Sequence, residues 1–123
     1  MKGDIVLGYL KVVDIKSDMP PVETALRRLD EAIENGKRLG AGAVKIIHGY
    51  GSTGKGGRIR TSVRARLDEY AASGRICALI TGEKLSIFDD MTRRAFSVCP
   101  ELRSDEDMER GNRGITIVIL KKI

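Results

Sequence analysis

The feature that most constrains the fold is an alternation between short apolar runs and two stretches with helical spacing. Apolar residues recur at 22, 25, 26, 29, 32 and 33, and again from 59 to 71, each time with the spacing of one buried helix face. Runs of strand length and composition occupy residues 5–15, 43–47, 75–81 and 115–120. This order predicts a two-layer α/β sandwich or a small doubly wound sheet.

A less regular segment, residues 82–113, separates the last two predicted strands. Residues 88–98 predict a short helix, and Pro100 prevents its continuation. Residues 104–113 are polar and charged and predict a loop. Because only this segment joins the last two strands, they can pair antiparallel. The chain length of 123 residues predicts one domain, residues 1–123, with an irregular insertion at about 82–113.

The net charge of +5 is unevenly distributed along the chain. Residues 45–75 carry seven basic and two acidic side chains, whereas residues 83–110 carry five basic and eight acidic ones. A positive excess confined to one segment favours a polyanionic partner. The alternative is an arginine-rich helix face that only meets solvent.

Cysteine usage and hydropathy exclude several classes of protein. Cys77 and Cys99 form no CxxC pair, so a zinc site is not expected, and both thiols are predicted to be reduced and mostly buried. Residues 1–15 hold no apolar run of signal-peptide length, and no run is long enough to cross a bilayer. We therefore expect a cytoplasmic protein without a membrane partner.

The sequence IIHGYGSTGKGG, residues 46–57, places a glycine-rich turn between the second strand and the second helix. We call residues 48–58 the glycine loop. It fits a P-loop as far as Lys55, but Gly56 stands where Ser or Thr normally ligates Mg²⁺. A nucleotide-binding protein, with the acidic end of residues 85–90 as a second element, is one alternative. The other is a grip on a nucleic-acid backbone, in which loop N–H groups and Lys55 hold phosphate.

Titratable, basic and aromatic side chains accompany this loop. The imidazole of His48 titrates near neutral pH, so it could move a proton in phosphodiester hydrolysis or simply hydrogen-bond the loop. Arg60 and Arg64 are four residues apart on one helix face and extend a basic track from Arg58. Tyr50 is the only Phe, Tyr or Trp residue in the loop, which limits base stacking to one contact.

Three motifs make the chain resemble the Smr (small MutS-related) domain family. Residues 48–51 match the family's HG-x-G loop and Ser52-Thr53-Gly54 continue it, while residues 114–118, GITIV, match its glycine-led last strand. Residues 13–16, VDIK, stand where the family has LD-x-H, with Asp14 retained and Lys16 in place of the histidine. The resemblance implies an α+β fold: a two-layer βαβαββ sandwich with a mixed four-stranded sheet and two main helices, and with an insertion before the last strand.

The resemblance also implies a function and site residues. Smr domains bind nucleic acid, DNA or RNA, and some are endonucleases that nick DNA or cleave RNA. By position, His48 and Asp14 are the candidate catalytic residues, with Asp14 orienting His48 or holding a divalent cation such as Mg²⁺. The candidate nucleic-acid-binding residues are Lys16, Gly49, Tyr50, Gly51, Ser52, Thr53, Gly54, Lys55, Arg58, Arg60 and Arg64.

The lysine at position 16 bears on which of these activities is expected. An ammonium group can hold a phosphate or stabilise developing negative charge, but it is a poor general base near neutral pH. The resemblance therefore predicts binding ahead of cleavage. A third alternative is a protein-interaction module that uses the acidic residues between 101 and 109.

Overall fold

The secondary structure follows the predicted alternation. The computed structural model describes residues 9–51 and 54–123, with Lys55 described in its backbone only; residues 5–8 of the first predicted strand lie outside these ranges. The elements are β1 (Leu10–Asp14), α1 (Val22–Leu39), β2 (Ala43–Ile47), α2 (Gly54–Ser73), β3 (Ala78–Thr81), α3 (Asp90–Ala95) and β4 (Ile115–Ile119), with 3₁₀ turns at Gly82–Lys84 and Pro100–Ser104. None of the helices in the described ranges is long and apolar enough to cross a membrane.

The four strands form one mixed sheet in the order β1-β2-β4-β3. β1 and β2 are parallel, and β4 pairs antiparallel with both β2 and β3. β2, β3 and β1 therefore end at the same edge of the sheet, where β4 begins. This confirms the predicted mixed sheet and the antiparallel pairing of the last two strands.

One face of the sheet, the helical face, is covered by the two long helices. Leu29 and Ile33 of α1 and Ile59, Val63 and Leu67 of α2 are fully buried against this face. Both helices place their apolar stripe on the sheet because that is where most of their nonpolar area leaves water. Gly40, with a φ of +80°, ends α1 in the left-handed conformation that favours glycine.

The opposite face, the covered face, is closed by residues 82–113, which we call the covering segment. Four of its side chains pack on the sheet with no more than 1% exposure: Leu85, Ala95, Cys99 and Leu102. Burial raises the pKa of the Cys99 thiol to about 11, as suits an unreactive core residue. Cys77 is exposed, so the prediction that both thiols are buried is wrong for this one. Every residue of β4 is consequently buried. The insertion predicted as irregular thus completes the core on this side.

Lys45, in the middle of β2, forms ion pairs with the covering segment. Its side chain is 3% exposed, and its Nζ lies 2.8 Å from Asp105 Oδ2 and 2.5 Å from Asp107 Oδ2. Burial alone would lower the pKa of Lys45, but the two carboxylates outweigh it and raise the pKa above 10.5. One cation counted in the positive excess of residues 45–75 is therefore neutralised inside the protein.

Several element boundaries differ from the prediction: α3 is shorter than the predicted helix at 88–98, and α2 and β3 begin elsewhere. α2 begins at Gly54 instead of near Ile59, so part of the glycine loop is the first helical turn. β3 begins at Ala78 instead of residue 75, because Gly74 (φ +80°) ends α2 and the N–H groups of Arg75 and Ile76 both donate to Tyr70 O. Apolar periodicity marks neither boundary, since glycines carry no hydrophobic signal and residues 75–77 resemble a strand.

Candidate functional site

The predicted site residues of the strands meet at one edge of the sheet. β1 ends at Asp14, which is in register with Ile47 of β2, and Ile47 is in register with Ile115 of β4. The residues that follow β1 and β2 and those that precede β4 therefore share this edge. Asp14, His48 and Gly114, from three separate motifs, become neighbours here.

The glycine loop is fixed to the start of β4 by its backbone. The N–H groups of His48 and Gly49 both donate to Gly114 O at 3.0 Å. A Cβ on Gly114 would lie 3.3 Å from Gly49 C, tighter than most side chains permit. Gly49 itself has a φ of +83°, a region that favours glycine. The glycines of the second and third motifs thus contact each other.

The next part of the loop packs on the first turns of α2. Gly51 has a φ of +70°, and a Cβ there would lie 2.9 Å from Arg60 Cβ and 3.1 Å from Gly56 O. Gly54, with a φ of +45°, begins the helix. Of the predicted loop residues, Ser52 and Thr53 lie outside the described ranges, as does the side chain of Lys55.

The His48 imidazole is held between the loop and β4. Only 1% of the residue is exposed, and both ring nitrogens are occupied. Nδ1 donates to Gly49 O at 2.9 Å, because a carbonyl can only accept. Nε2, 2.9 Å from Thr116 Oγ1, accepts from that hydroxyl in the neutral ring. Asp14 is thus not the group that orients His48 in this conformation.

The environment of His48 favours the neutral ring. Burial lowers the pKa of His48 to about 4; the hydrogen bond to Gly49 opposes this shift, and the charges of Arg64 and Arg60 add to it. At neutral pH the ring carries no charge. An imidazole with this pKa binds a proton weakly, and its one acceptor nitrogen is engaged by Thr116. The arrangement serves first to join β2, the loop and β4.

Asp14 and Lys16 contact each other. Asp14 Oδ1 accepts from the Lys16 N–H at 2.9 Å, and the Lys16 ammonium lies 3.6 Å from Asp14 Oδ2. Both side chains are about 40% exposed, at 42% and 39%. The Lys16 stem lies over Gly49, with its Cδ 2.9 Å from where a Gly49 Cβ would be. Lys16 therefore lies beside the glycine loop.

Lys16 and the glycine loop border a pocket of about 240 Å³, which we call the first pocket. It is lined by Lys16, Met19, His48, Gly49, Tyr50, Gly51 and Gly56. The N–H groups of Tyr50 and Gly51 have no hydrogen-bond partner within the described ranges. An ammonium group and two residues with unbonded amides that line one concave surface are features that suit an anion.

The arginines of the predicted basic track are partly neutralised by a carboxylate. Glu83 Oε1 and Oε2 accept from Arg64 at 2.8 and 3.0 Å, and Oε2 also accepts from Arg60 at 3.3 Å. Arg60 and Arg64 donate in addition to Arg113 O. The hydrogen bond from Arg64 is the main cause that lowers the pKa of Glu83 to about 2. Both arginines remain partly exposed, at 27% and 20%.

Other basic side chains differ in what they contact. Arg66 pairs with Asp30, and Arg75 with Glu34, on the side of α1. The side chains of Arg58 and Arg113 are exposed, and neither makes an ion pair or hydrogen bond within the described ranges. Arg58 lies in α2 at the end of the glycine loop, and Arg113 directly precedes Gly114. These two arginines, together with Lys16, are cations near the glycine loop that a ligand can reach.

Several residues at this edge were not predicted from the sequence as site residues: Glu83, Asn112, Arg113 and Thr116. Thr116 was visible as part of the last-strand motif, but its role depends on a hydrogen bond to His48, 68 residues away. Glu83 gave no signal other than its charge. Gly82 beside it is required sterically, because a Cβ there would overlap Asn112 O at 1.7 Å.

The two alternative functions, nucleotide binding and protein interaction, find less support in the structure. Asp89, in the acidic segment expected to complete a nucleotide site, caps α3 by accepting from Thr92 N at 2.9 Å. The acidic residues of 101–109 largely serve the fold: Asp105 and Asp107 pair with Lys45, and Glu109 accepts from Ser86 and Ile87. Within the described ranges, no group of three His, Cys, Asp or Glu side chains is placed to hold a metal ion.

Comparison with known proteins identifies the family. The Smr domain model matches residues 19–83, more than half of the chain. The chain is also similar to the crystal structure of the Smr domain of Thermus thermophilus MutS2, with a TM-score of 0.56 and 22% identity over 90% of this chain and 98% of that one. No curated protein matches the sequence. The chain belongs to the Smr domain family, and its α+β fold with a mixed four-stranded sheet is the Smr fold.

Proposed function

We propose that this Smr domain binds the sugar–phosphate backbone of a nucleic acid through the first pocket and the accessible cations around it. The observation that carries the proposal is that one pocket is lined by Lys16 and by Tyr50 and Gly51, whose N–H groups have no partner among the described residues. Family membership supports it, since the Smr resemblance implies nucleic-acid binding. DNA and RNA share the backbone phosphate, so both are ligands at this level of description.

The proposed contacts divide into a central and a peripheral set. In the centre, Lys16 and the loop amides hold one phosphate. At the periphery, Arg58 and Arg113 contact neighbouring phosphates, and Lys55 is placed by its sequence position to join them. Arg60 and Arg64 contribute less than their charges suggest, because Glu83 already accepts from both.

The binding proposal is tested by fluorescence anisotropy with labelled 12-nucleotide DNA and RNA at several salt concentrations. Affinity should fall steeply with salt, since phosphate binding releases condensed counterions. The double variant Lys16→Gln/Arg58→Gln should bind several-fold more weakly and lower the salt slope by roughly two.

Arg27→Gln is the matched control, because Arg27 is an exposed arginine of α1 that lines neither pocket described here. It removes the same type of charge and should change binding much less. If Arg27→Gln and Arg58→Gln lower the affinity equally, nucleic-acid binding depends on net charge alone. Binding that does not respond to salt would contradict the phosphate proposal.

Cleavage of DNA or RNA is a second candidate function, favoured by the presence of His48 and Lys16 on the same pocket. For His48 to act as a base, Nε2 would have to release the Thr116 hydroxyl on ligand binding. Incubation with supercoiled plasmid and with structured RNA, with and without Mg²⁺, tests this. Product formed by the natural chain and absent with His48→Ala supports it; equal product from both points to another site or a contaminant.

A further inference from the structure

Tyr50 is an exposed aromatic ring on an anchored support. The residue is 61% exposed, although it lies between two glycines that are packed in place. Gly49 is bonded to Gly114 O, and Gly51 lies against Arg60 and Gly56. The Tyr50 side chain makes no hydrogen bond or ring contact within the described ranges. The ring is therefore presented to solvent and contributes little to the core.

Tyr50 also separates two pockets of different character. It lines the first pocket, which holds Lys16, and it lines a second pocket of about 390 Å³. The other residues of the second pocket are Glu106, Asp107, Arg110, Gly111 and Asn112. Its volume lies in the range of about 300–1,000 Å³ that is typical of small-ligand sites.

The second pocket offers hydrogen-bonding groups that the fold does not use. The side chains of Glu106 and Arg110 are exposed, and neither makes a hydrogen bond or ion pair within the described ranges. One supplies acceptors and the other supplies donors, the two types of group that the edge of a nucleobase requires. Asn112, which also lines this pocket, donates to Asp107 and accepts from the Gly114 N–H.

A duplex would leave this arrangement unused, because the faces of paired bases are covered by their neighbours. An unpaired base exposes both its face and its Watson–Crick edge, and aromatic side chains are the usual surfaces on which such bases stack. A phosphate on the Lys16 side and a base on the Tyr50 ring would together account for both pockets.

We propose that Tyr50 is a stacking platform for one unpaired nucleobase, whose edge enters the second pocket while the adjoining phosphate lies in the first. The preferred partner is then single-stranded DNA or RNA, or an unpaired segment of a larger nucleic acid. This inference rests on the proposed function, since it requires that nucleic acid binds at this edge.

The chain contains no tryptophan, so Tyr50→Trp introduces a unique fluorophore at the proposed platform. Titration with a single-stranded 12-mer, DNA or RNA, should quench its emission, because a stacked base quenches indole fluorescence. A blunt duplex of the same sequence should quench it far less. Phe88→Trp is the matched control: Phe88 is 84% exposed and lines neither pocket, so its emission should not change.

Affinity provides a second measurement. Tyr50→Leu should weaken single-strand binding by about tenfold, a typical effect of losing one stacked base, while Tyr50→Phe should retain it. Unquenched Tyr50→Trp emission at saturating single strand, or unchanged affinity in Tyr50→Leu, would overturn the proposal. If salt-dependent binding that requires Lys16 and Arg58 persists in that case, the proposed function stands and only the stacking role fails; if no nucleic acid binds, both fail.

Discussion

Two charge clusters join the covering segment to the rest of the fold, and they differ in burial. In the first, Lys45 of β2 meets Asp105 and Asp107, and the lysine side chain is only 3% exposed. In the second, Arg60 and Arg64 of α2 meet Glu83, whose side chain is 36% exposed. Both consist of basic residues from the segment with the positive excess and acidic residues from the covering segment.

The comparison shows that burial, more than charge, determines whether such a cluster fixes the structure or can exchange its partners. A buried ion pair has no water to replace a lost partner, so it fixes the position of the segments that it joins. An exposed pair can exchange its carboxylate for water or for another anion at little cost. The Lys45 cluster therefore belongs to the structure, whereas the Glu83 cluster, which borders the glycine loop, can take part in ligand binding.

The largest effect is expected from Lys45→Ala, which leaves Asp105 and Asp107 without their cation in a buried site. Loss of one partner of a buried ion pair costs about 3–5 kcal/mol, so the free energy of unfolding should fall by that amount in urea denaturation. The triple variant Lys45→Met/Asp105→Asn/Asp107→Asn, which leaves no unpaired charge, should recover most of the loss. If Lys45→Ala lowers the free energy of unfolding by less than about 1 kcal/mol, the site is more accessible to water than its burial indicates.

The second largest effect is a pH dependence of the free energy of unfolding, which originates in His48. Its pKa is about 4 in the folded protein, against 6.5 as the ordinary value. On acidification the unfolded chain binds this proton first, so the free energy of unfolding should be constant above pH 6.5 and fall between 6.5 and 4. The total decrease in the free energy of unfolding over this pH range is on the order of 3 kcal/mol.

Urea denaturation at several pH values measures this slope. Because His48 is the only histidine, His48→Asn should remove the slope between pH 6.5 and 5. Glu83, whose pKa is lowered to about 2, contributes stability that is complete above pH 4.5 and is lost only below it, so it does not obscure this range. An unchanged slope in His48→Asn would place its origin in other groups.

The smallest effect on stability, with a distinct effect on binding, is expected from Glu83→Gln. Since Glu83 is partly exposed, its loss should cost about 1 kcal/mol or less. The guanidinium groups of Arg60 and Arg64 then lose their carboxylate partner and become available to phosphate. Affinity for a labelled 12-mer should rise several-fold, with a steeper salt dependence.

Glu34→Gln is the matched control, because it removes the same charge from an exposed ion pair with Arg75 on the α1 side. An equal rise in affinity in both variants would mean that the nucleic acid responds to net charge only. No rise in either would mean that Arg60 and Arg64 lie outside the binding surface.

The sequence predicted the two long helices and the order of the strands because these follow from local apolar patterns. The stripe of α1 repeats every three to four residues, and the run at 43–47 is continuous, so each can be identified without its partners. The covered face could not be predicted in this way. Leu85, Ala95, Cys99 and Leu102 show no common period, and they become one surface only when the segment folds over the sheet.

For the site, the family motifs located Asp14, Lys16, His48 and the loop, which the structure places around one edge. That these residues bind or cleave nucleic acid stays a prediction. The basic track was estimated from charges along the sequence, and such an estimate omits carboxylates that approach from elsewhere. Glu83 lies 19 residues from Arg64 and Asp105 lies 60 from Lys45, so their pairing depends on the tertiary fold.

The central position of β4 also has a consequence for synthesis of the chain. β4 lies between β2 and β3, and it supplies Gly114 and Thr116 to the glycine loop and His48. A nascent chain that has emerged only as far as β3 cannot pair β2 with β3, nor hold the loop in its final position. The site thus forms only after residues 114–119 have left the ribosome, when the strands and helices that precede them are already exposed to other molecules in the cell.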